Sequence, residues 1–364
     1  MVHEDLFTLQ DHAARAASVM DPAVAAYVDG GAADELTLQA NLQAWRALPL
    51  HPRVLRPLAG GHTRLTLLGR ELPHPILVAP MALQRLVHPD GELAVALAAA
   101  ALGAGLVLSQ QSSCPAQDVA RVHLGEVCRG PLWMQLAPQG DRGRDLQAAR
   151  EAEAAGFEAL VVSVDAPVQG VRDRQRRARF AVPAGMAPGY RPVRPAPDAA
   201  GLCAGWLEHA PTWDDIAWLQ SQTRLPVLLK GVTDPRDARQ ALALQLAGLI
   251  VSNHGGRTLD TMPSTAELLP PIADAVGGAM ALLVDGGLRR GTDVLKALAL
   301  GADAVLVGRP VLHGLAHGGA AGVAQVLRLL RDELEMAMAL CGCRTLQDLG
   351  PDCLGRDAAR RGAR

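Results

Sequence analysis

Eight short apolar runs recur along the chain, each closed by a polar or Gly-containing turn and followed by a helical pattern. They are PILVAP (75–80), GLVLS (105–109), LWMQLA (132–137), ALVVSVD (159–165), PVLLKG (226–231), GLIVSN (248–253), ALLVDGG (281–287) and AVLVGR (304–309). Runs without polar alternation belong to strands covered on both faces, and eight of them alternating with helices read as a closed parallel (β/α)8 TIM barrel of the α/β class. An open doubly wound sheet would carry a G-x-G-x-x-G turn after its first strand, where APMALQ (79–84) has none. The connecting segments GELAVALAAAALGA (91–104) and RDLQAAREAEAAG (144–156) are Ala- and Leu-rich helices closed by Gly.

On this frame the 364 residues form one domain. Residues 1–70 precede the barrel as helices and a hairpin, the barrel spans about 71–340 with a closing helix over 315–349, and a flexible tail covers about 350–364. One connection is long. Residues 168–212 hold arginines 172, 174, 176, 177 and 179 and a Pro/Gly-rich stretch, which in a compact barrel reads as an active-site lid or a disordered excursion. A net charge of −2, with five Trp, two Tyr and three Phe, offers neither a basic footprint nor a stacking platform for nucleic acid. The first twenty residues are acidic where a leader would be basic, and no run of 18 apolar residues occurs, so a cytoplasmic protein off the membrane is expected. The six cysteines (114, 128, 203, 341, 343, 353) match neither a zinc knuckle nor a redox C-x-x-C pair, so reduced thiols and no metal site are expected.

The chain has only two lysines, Lys230 and Lys296, against 33 arginines. A lysine kept in such a background marks a place where a compact ammonium fits and a planar guanidinium does not, which draws attention to Lys230 at the end of the fifth run. In a barrel the chemistry sits at the C-terminal strand ends. There this chain places Ser109 and Gln111, Gln135, Ser163 and Asp165, Lys230, then Ser252, Asn253, His254 and Arg257, then Asp285, and finally Gly308 and Arg309. Neutral hydrogen-bonding groups come from the second to fourth runs and charge from the fourth to eighth, an arrangement for a flat heterocycle on one side and an anion on the other. DGGLRRGTDV and VGRP place backbone N–H groups at helix N-termini, with Arg289 and Arg309 adding charge, which suits a phosphate. SNHGGR (252–257) combines a base, two glycines that admit a ligand, and an arginine for a carboxylate. Asp165 is placed to orient His254 and stabilise its charged form.

These motifs, with YVDGGAADELTLQANLQAW (27–45), VAPMALQRLVHPDGELA (78–94) and SVDAPVQGVRDR (163–174), resemble over almost the whole chain the FMN-dependent L-2-hydroxy-acid oxidase and dehydrogenase family. That family includes glycolate oxidase, lactate oxidase and mandelate dehydrogenase. The resemblance implies that His254 removes a proton from the substrate, that Asp165 holds His254, and that Arg257 binds the substrate carboxylate with Tyr27 and Arg172. It implies Lys230 beside the flavin N1–C2=O edge, Ser109, Gln111, Gln135, Ser163 and Ser252 around the ring, and Ala79, Pro80, Met81 and Ala82 against it. Asp285, Gly286, Gly287, Arg289, Gly308 and Arg309 would hold ribityl and phosphate. A homotetramer is also implied.

The chain departs from that pattern at the substrate side. The family commonly has Tyr two positions after the Gln of the third strand, where this chain has Ala137, and plant-type members have Trp where it has Gln111. Losing both rings widens the pocket by roughly 100 Å3 or more, within the span of ordinary ligand sites, and points to a bulkier substrate than glycolate or to weaker turnover. Ala82, where dehydrogenases tend to have Gly, leans toward an oxidase that forms H2O2. The alternatives are a soluble 2-hydroxy-acid dehydrogenase with another acceptor and a catalytically impaired FMN-binding protein. Other phosphate-binding barrels would not need His254, Arg257 and Asp165 together.

Overall fold

In a computed structural model, which describes residues 6–138, 140–186, 207 and 210–355, the eight apolar runs are the eight strands of a closed barrel. They are β3 (Ile76–Val78), β4 (Gly105–Ser109), β5 (Leu132–Leu136), β6 (Ala159–Ser163), β7 (Val227–Val232), β8 (Gly248–Val251), β9 (Ala281–Val284) and β10 (Ala304–Val307). All neighbouring strands are parallel, and β10 pairs with β3 to close the ring. Alternate residues divide the core. Leu77, Val107, Trp133, Val161, Leu228, Ile250, Leu283 and Leu306 fill the barrel interior, while their neighbours Ile76, Leu106, Leu132, Leu160, Leu229, Leu249 and Val305 pack against the surrounding helices.

The expected hairpin forms from β1 (Leu65–Leu67) and β2 (Arg70–Leu72), turning at Leu68 and Gly69, both at positive φ as a two-residue turn requires. Leu67 and Leu72 are buried in the same cluster as the barrel interior, so the hairpin plugs its lower end. Before it come α1 (Leu9–Val19), α2 (Pro22–Asp29) and α3 (Leu36–Ala47). The closing helix differs from the expected 315–349: α12 runs Arg309–Cys341. Pro310 suits its first turn, Gly342 in the left-handed region stops it, and Gly319 breaks its helical geometry at φ 54, ψ −140. The tail expected from about 350 is packed as far as Gly355. Cys353 and Leu354 are buried, His51 N–H donates to Cys353 O (2.8 Å), Gly355 N–H donates to Pro49 O (2.9 Å), and Leu354 bridges Leu50. Residues 356–364, and 187–206 of the long connection, lie outside the described residues.

Candidate active site

Barrel periodicity alone puts the polar groups in one mouth. Two residues beyond each inward-facing core position the side chain points inward again, and those next positions are Ala79, Ser109, Gln135, Ser163, Lys230, Ser252, Asp285 and Gly308. The following step of two reaches Gln111, Ala137, Asp165, His254 and Gly287.

His254 and Asp165 meet as expected. Nδ1 of His254 lies 3.0 and 3.1 Å from the two oxygens of Asp165, and the ring is one-third exposed, which leaves Nε2 on its open edge. His254 sits at φ 57, with Gly255 and Gly256 also left-handed, and its N–H donates to Ser252 Oγ at 3.0 Å. A non-Gly residue held there carries about 1–2 kcal/mol of backbone strain, a feature that clusters at functional sites. Asp165 approaches because Gly231, at φ 104 beside a register shift in β7, has no Cβ; one built there would lie 2.4 Å from Asp165 Cβ. Burial works against the Asp165 carboxylate, but the His254 ring and the Lys230 ammonium outweigh it and hold it below the ordinary carboxylate range.

Lys230 is buried, 2.8 Å from Asp285 Oδ2, and donates to Ser252 Oγ at 2.9 Å. Burial disfavours its charge, yet Asp285 and Asp165 keep the ammonium above its usual range. On the opposite flank the groups are neutral and satisfy one another. Ser109 Oγ donates to Gln135 Oε1 (3.1 Å) and accepts from Gln111 N–H (3.1 Å), and Ser163 stands in register with Lys230.

Arg257 lies over the Tyr27 ring at 5.4 Å, and Tyr27 stacks on Phe180 of the long connection with centroids 4.5 Å apart. Arg172 begins the short helix α7 (Asp173–Arg177). That connection is tied to the mouth through Ala33 N–H to Val171 O (2.8 Å) and through Gly170, where a Cβ would fall 2.0 Å from Thr258 O. Arg257, Arg289 and Arg309 each have their pKa lowered to about 10 by burial; in Arg257 the neighbouring Arg309 adds to it, and in Arg309 the neighbouring Arg289. Three partly desolvated guanidinium groups close to one another form a site that calls for anions.

The sequence model of the FMN-dependent dehydrogenases matches residues 16–356. The chain belongs to that family. It is 47% identical over 354 residues to an L-lactate oxidase of Roseobacter sp. (strain GAI101), covering 95% of this chain and 94% of that protein. It is 44% identical over 329 residues to a peroxisomal (S)-2-hydroxy-acid oxidase of Oryza sativa subsp. japonica, covering 89% and 88%. A solved mandelate oxidase with (S)-2-phenylpropionate superposes with a TM-score of 0.87 at 39% identity, over 96% of this chain and 98% of that one.

FMN is the cofactor of this family member, and the mouth fits it on three observations. Asp285 Oδ1 is buried without a hydrogen-bond partner among the described residues, an acceptor suited to a ribityl hydroxyl. A Cβ built at Gly308 would meet Met81 Sδ (3.6 Å) and Ala79 Cβ (3.7 Å) only at ordinary contact distance, so packing within the protein does not itself call for a glycine there. Lys230, Arg289 and Arg309 supply cations beside a neutral flank of Ser109 and Gln135. Other glycines of the strand ends serve packing. Gly287 makes room for α3, where a Cβ would be 2.5 Å from Asn41 O, and Gly286 O accepts from Trp45 Nε1 (2.8 Å).

Three groups have no role in the sequence reading: Asn41, Gln110 and Phe180. Asn253 exchanges two amide hydrogen bonds with Asn41 (2.8 and 2.9 Å) and so pins the N-terminal extension to the mouth. Nothing in the pattern of α3 marks Asn41. Gln110 Oε1 accepts the Ala137 N–H at 3.0 Å, in a mouth that lacks the tyrosine. Phe180 was detectable by rarity, as one of three Phe in the chain.

Proposed function

We propose that this protein oxidises an L-2-hydroxy acid to the 2-keto acid, with O2 as the final acceptor and H2O2 as the second product. The observation that carries the reading is the His254–Asp165 pair, open at Nε2, sharing one mouth with Arg257 and Lys230. Bound FMN supplies the two-electron acceptor. Among the chain's own groups, His254 Nε2 takes the substrate proton and Asp165 stabilises the resulting imidazolium. Arg257, whose Nη1 is engaged with backbone carbonyls, keeps Nε–H and Nη2 for the substrate carboxylate. Tyr27 and Arg172 flank it, and Lys230 provides fixed positive charge where negative charge develops. Ser109, Gln111, Gln135, Ser163, Ser252 and residues 79–82 form the ring site, and Asp285, Arg289, Gly308 and Arg309 the ribityl and phosphate site.

With Ala137 and Gln111 in place of two rings, the substrate is bulkier than glycolate, and the solved mandelate oxidase and the L-lactate oxidase bracket the sizes to try. No helix among the described residues is long and apolar enough to cross a membrane. A homotetramer and a single domain over the chain complete the reading; Met336 and Leu340, one turn apart on α12, are exposed apolar side chains, as are Val54 and Leu55.

The test is anaerobic bleaching of the flavin band near 450 nm with glycolate, L-lactate, L-mandelate and long-chain L-2-hydroxy acids, followed by admission of air. Bleaching by the larger acids with fast reoxidation and peroxide is expected. Slow reoxidation would establish a dehydrogenase, and flavin that no acid bleaches would overturn the activity.

A further inference from the structure

The end of α2 holds an arrangement that the reading above does not use. Val28 O accepts from Arg257 Nη1 (3.2 Å) and Arg309 Nε (3.1 Å), and Gly30 O accepts from Arg257 Nη1 (2.7 Å) and Arg309 Nη2 (3.0 Å). Two guanidinium groups are thus hung on the same two carbonyl oxygens. Helix C-terminal carbonyls carry partial negative charge and suit cations. Here they suit two at once, because Gly30 turns the chain out of the helix: its N–H still bonds Ala26 O, and a Cβ at that position would lie 2.5 Å from the same oxygen.

Between the two carbonyls stands Asp29. Its Oδ1 lies 2.8 Å from Nε2 of His313, a buried histidine one turn beyond Arg309 on α12. The first turns of α12 therefore grip the end of α2 twice, with Arg309 on backbone oxygens and His313 on the Asp29 carboxylate. Arg309, Arg174, Arg257 and Arg289 act electrostatically on this corner, together with Glu35, which bonds Gly31 N–H at 2.8 Å and pairs with Arg174. Any shift of residues 28–30 displaces both guanidinium groups together.

We propose that Asp29 and His313 are positioning residues that couple the substrate-carboxylate site at Arg257 to the cofactor-phosphate site at Arg309 through Val28 O and Gly30 O. This rests on the anion assignments of the two arginines made above. Coupling of this kind is reciprocal: a carboxylate on Arg257 tightens FMN, and FMN tightens the carboxylate, by the same factor.

The test dilutes the holoenzyme and reads the fluorescence of released FMN, with and without oxalate as a carboxylate that has no α-hydrogen to lose. The wild type is expected to hold FMN about fivefold or more tightly with oxalate, the low end of ordinary coupling. Asp29→Asn is expected to bring that factor toward one and raise KM for the hydroxy acid about tenfold, while kcat moves less than about threefold, the pattern of lost ground-state positioning. Asp29→Glu should restore the linkage. His313→Gln, which keeps an N–H donor, is the second variant if Asp29→Asn does not fold. Arg257→Lys separates the two readings. If it leaves oxalate affinity unchanged, the carboxylate assignment fails. If it weakens oxalate while Asp29→Asn keeps the wild-type linkage, the assignment stands and the positioning role is overturned. A wild type without linkage overturns the coupling outright.

Discussion

The two flanks of the mouth are built on opposite principles. On the side of β4 and β5, Ser109, Gln135, Gln110 and Ala137 are neutral and bond one another or nearby backbone. On the side of β6 to β9, Asp165, Lys230 and Asp285 form a buried charged chain that is stable only as a set. The neutral flank can change without unfolding anything, because a lost neutral hydrogen bond costs about 1 kcal/mol. The charged flank cannot, because removing one member leaves an uncompensated buried charge. Specificity is therefore free to vary on one side, and the chemistry is locked into the fold on the other.

Lys230→Met should test this division most severely. It strands Asp285 and removes a stabiliser of Asp165, and the expected loss is about 3–5 kcal/mol of stability, read by urea unfolding, together with loss of bound flavin. A variant as stable as wild type would break the comparison. His254→Asn comes next. Flavin reduction by the hydroxy acid should fall by about 10²–10⁴-fold in a stopped-flow measurement, while stability falls by less than in Lys230→Met, because Asn tolerates the left-handed backbone that His254 adopts and Lys230 still faces the Asp165 carboxylate.

Acid titration sharpens the contrast. Because the Asp165 pKa is depressed in the fold, the unfolded chain binds more protons between the folded value and the ordinary value near 3.9. Its contribution is therefore complete above the unfolded pKa and lost as pH falls through the folded one. Asp165→Asn should flatten the acid limb of the stability curve in that window, whereas Gln135→Ala, on the neutral flank, should leave that limb as in the wild type. Smallest in effect is Ala137→Tyr. It should shift kcat/KM toward glycolate over mandelate by about tenfold with little change in melting temperature, and an unchanged preference would remove Ala137 from the specificity flank.

Sequence legibility followed the same line. The strands were legible because burial on both faces leaves an apolar signature, and the strand-end residues because the barrel period delivers them to one place. Lys230 stood out by rarity, and the structure extends that logic to Lys296, which is buried and donates to Trp45 O at 2.7 Å, capping the end of α3. Illegible were contacts between segments far apart in the chain. Asn41 with Asn253 and Asp29 with His313 lie 212 and 284 positions apart, and no local pattern announces such partners. The limits of α12 were displaced because Pro310 and Gly342, rather than the apolar pattern, decide where it starts and stops.

The seam between residues 49–62 and 341–355 bears on the order of synthesis. Arg53 N–H donates to Cys341 O (3.2 Å), His62 N–H to Arg344 O (3.0 Å) and His51 N–H to Cys353 O (2.8 Å). These donors leave the ribosome early, and their acceptors are the last described residues to emerge. The early segment thus waits with open backbone groups through translation of the whole barrel, and it cannot pair before residues 341–353 have been made. A nonsense codon ahead of 341 would leave that segment unpaired even where all eight strands had been made.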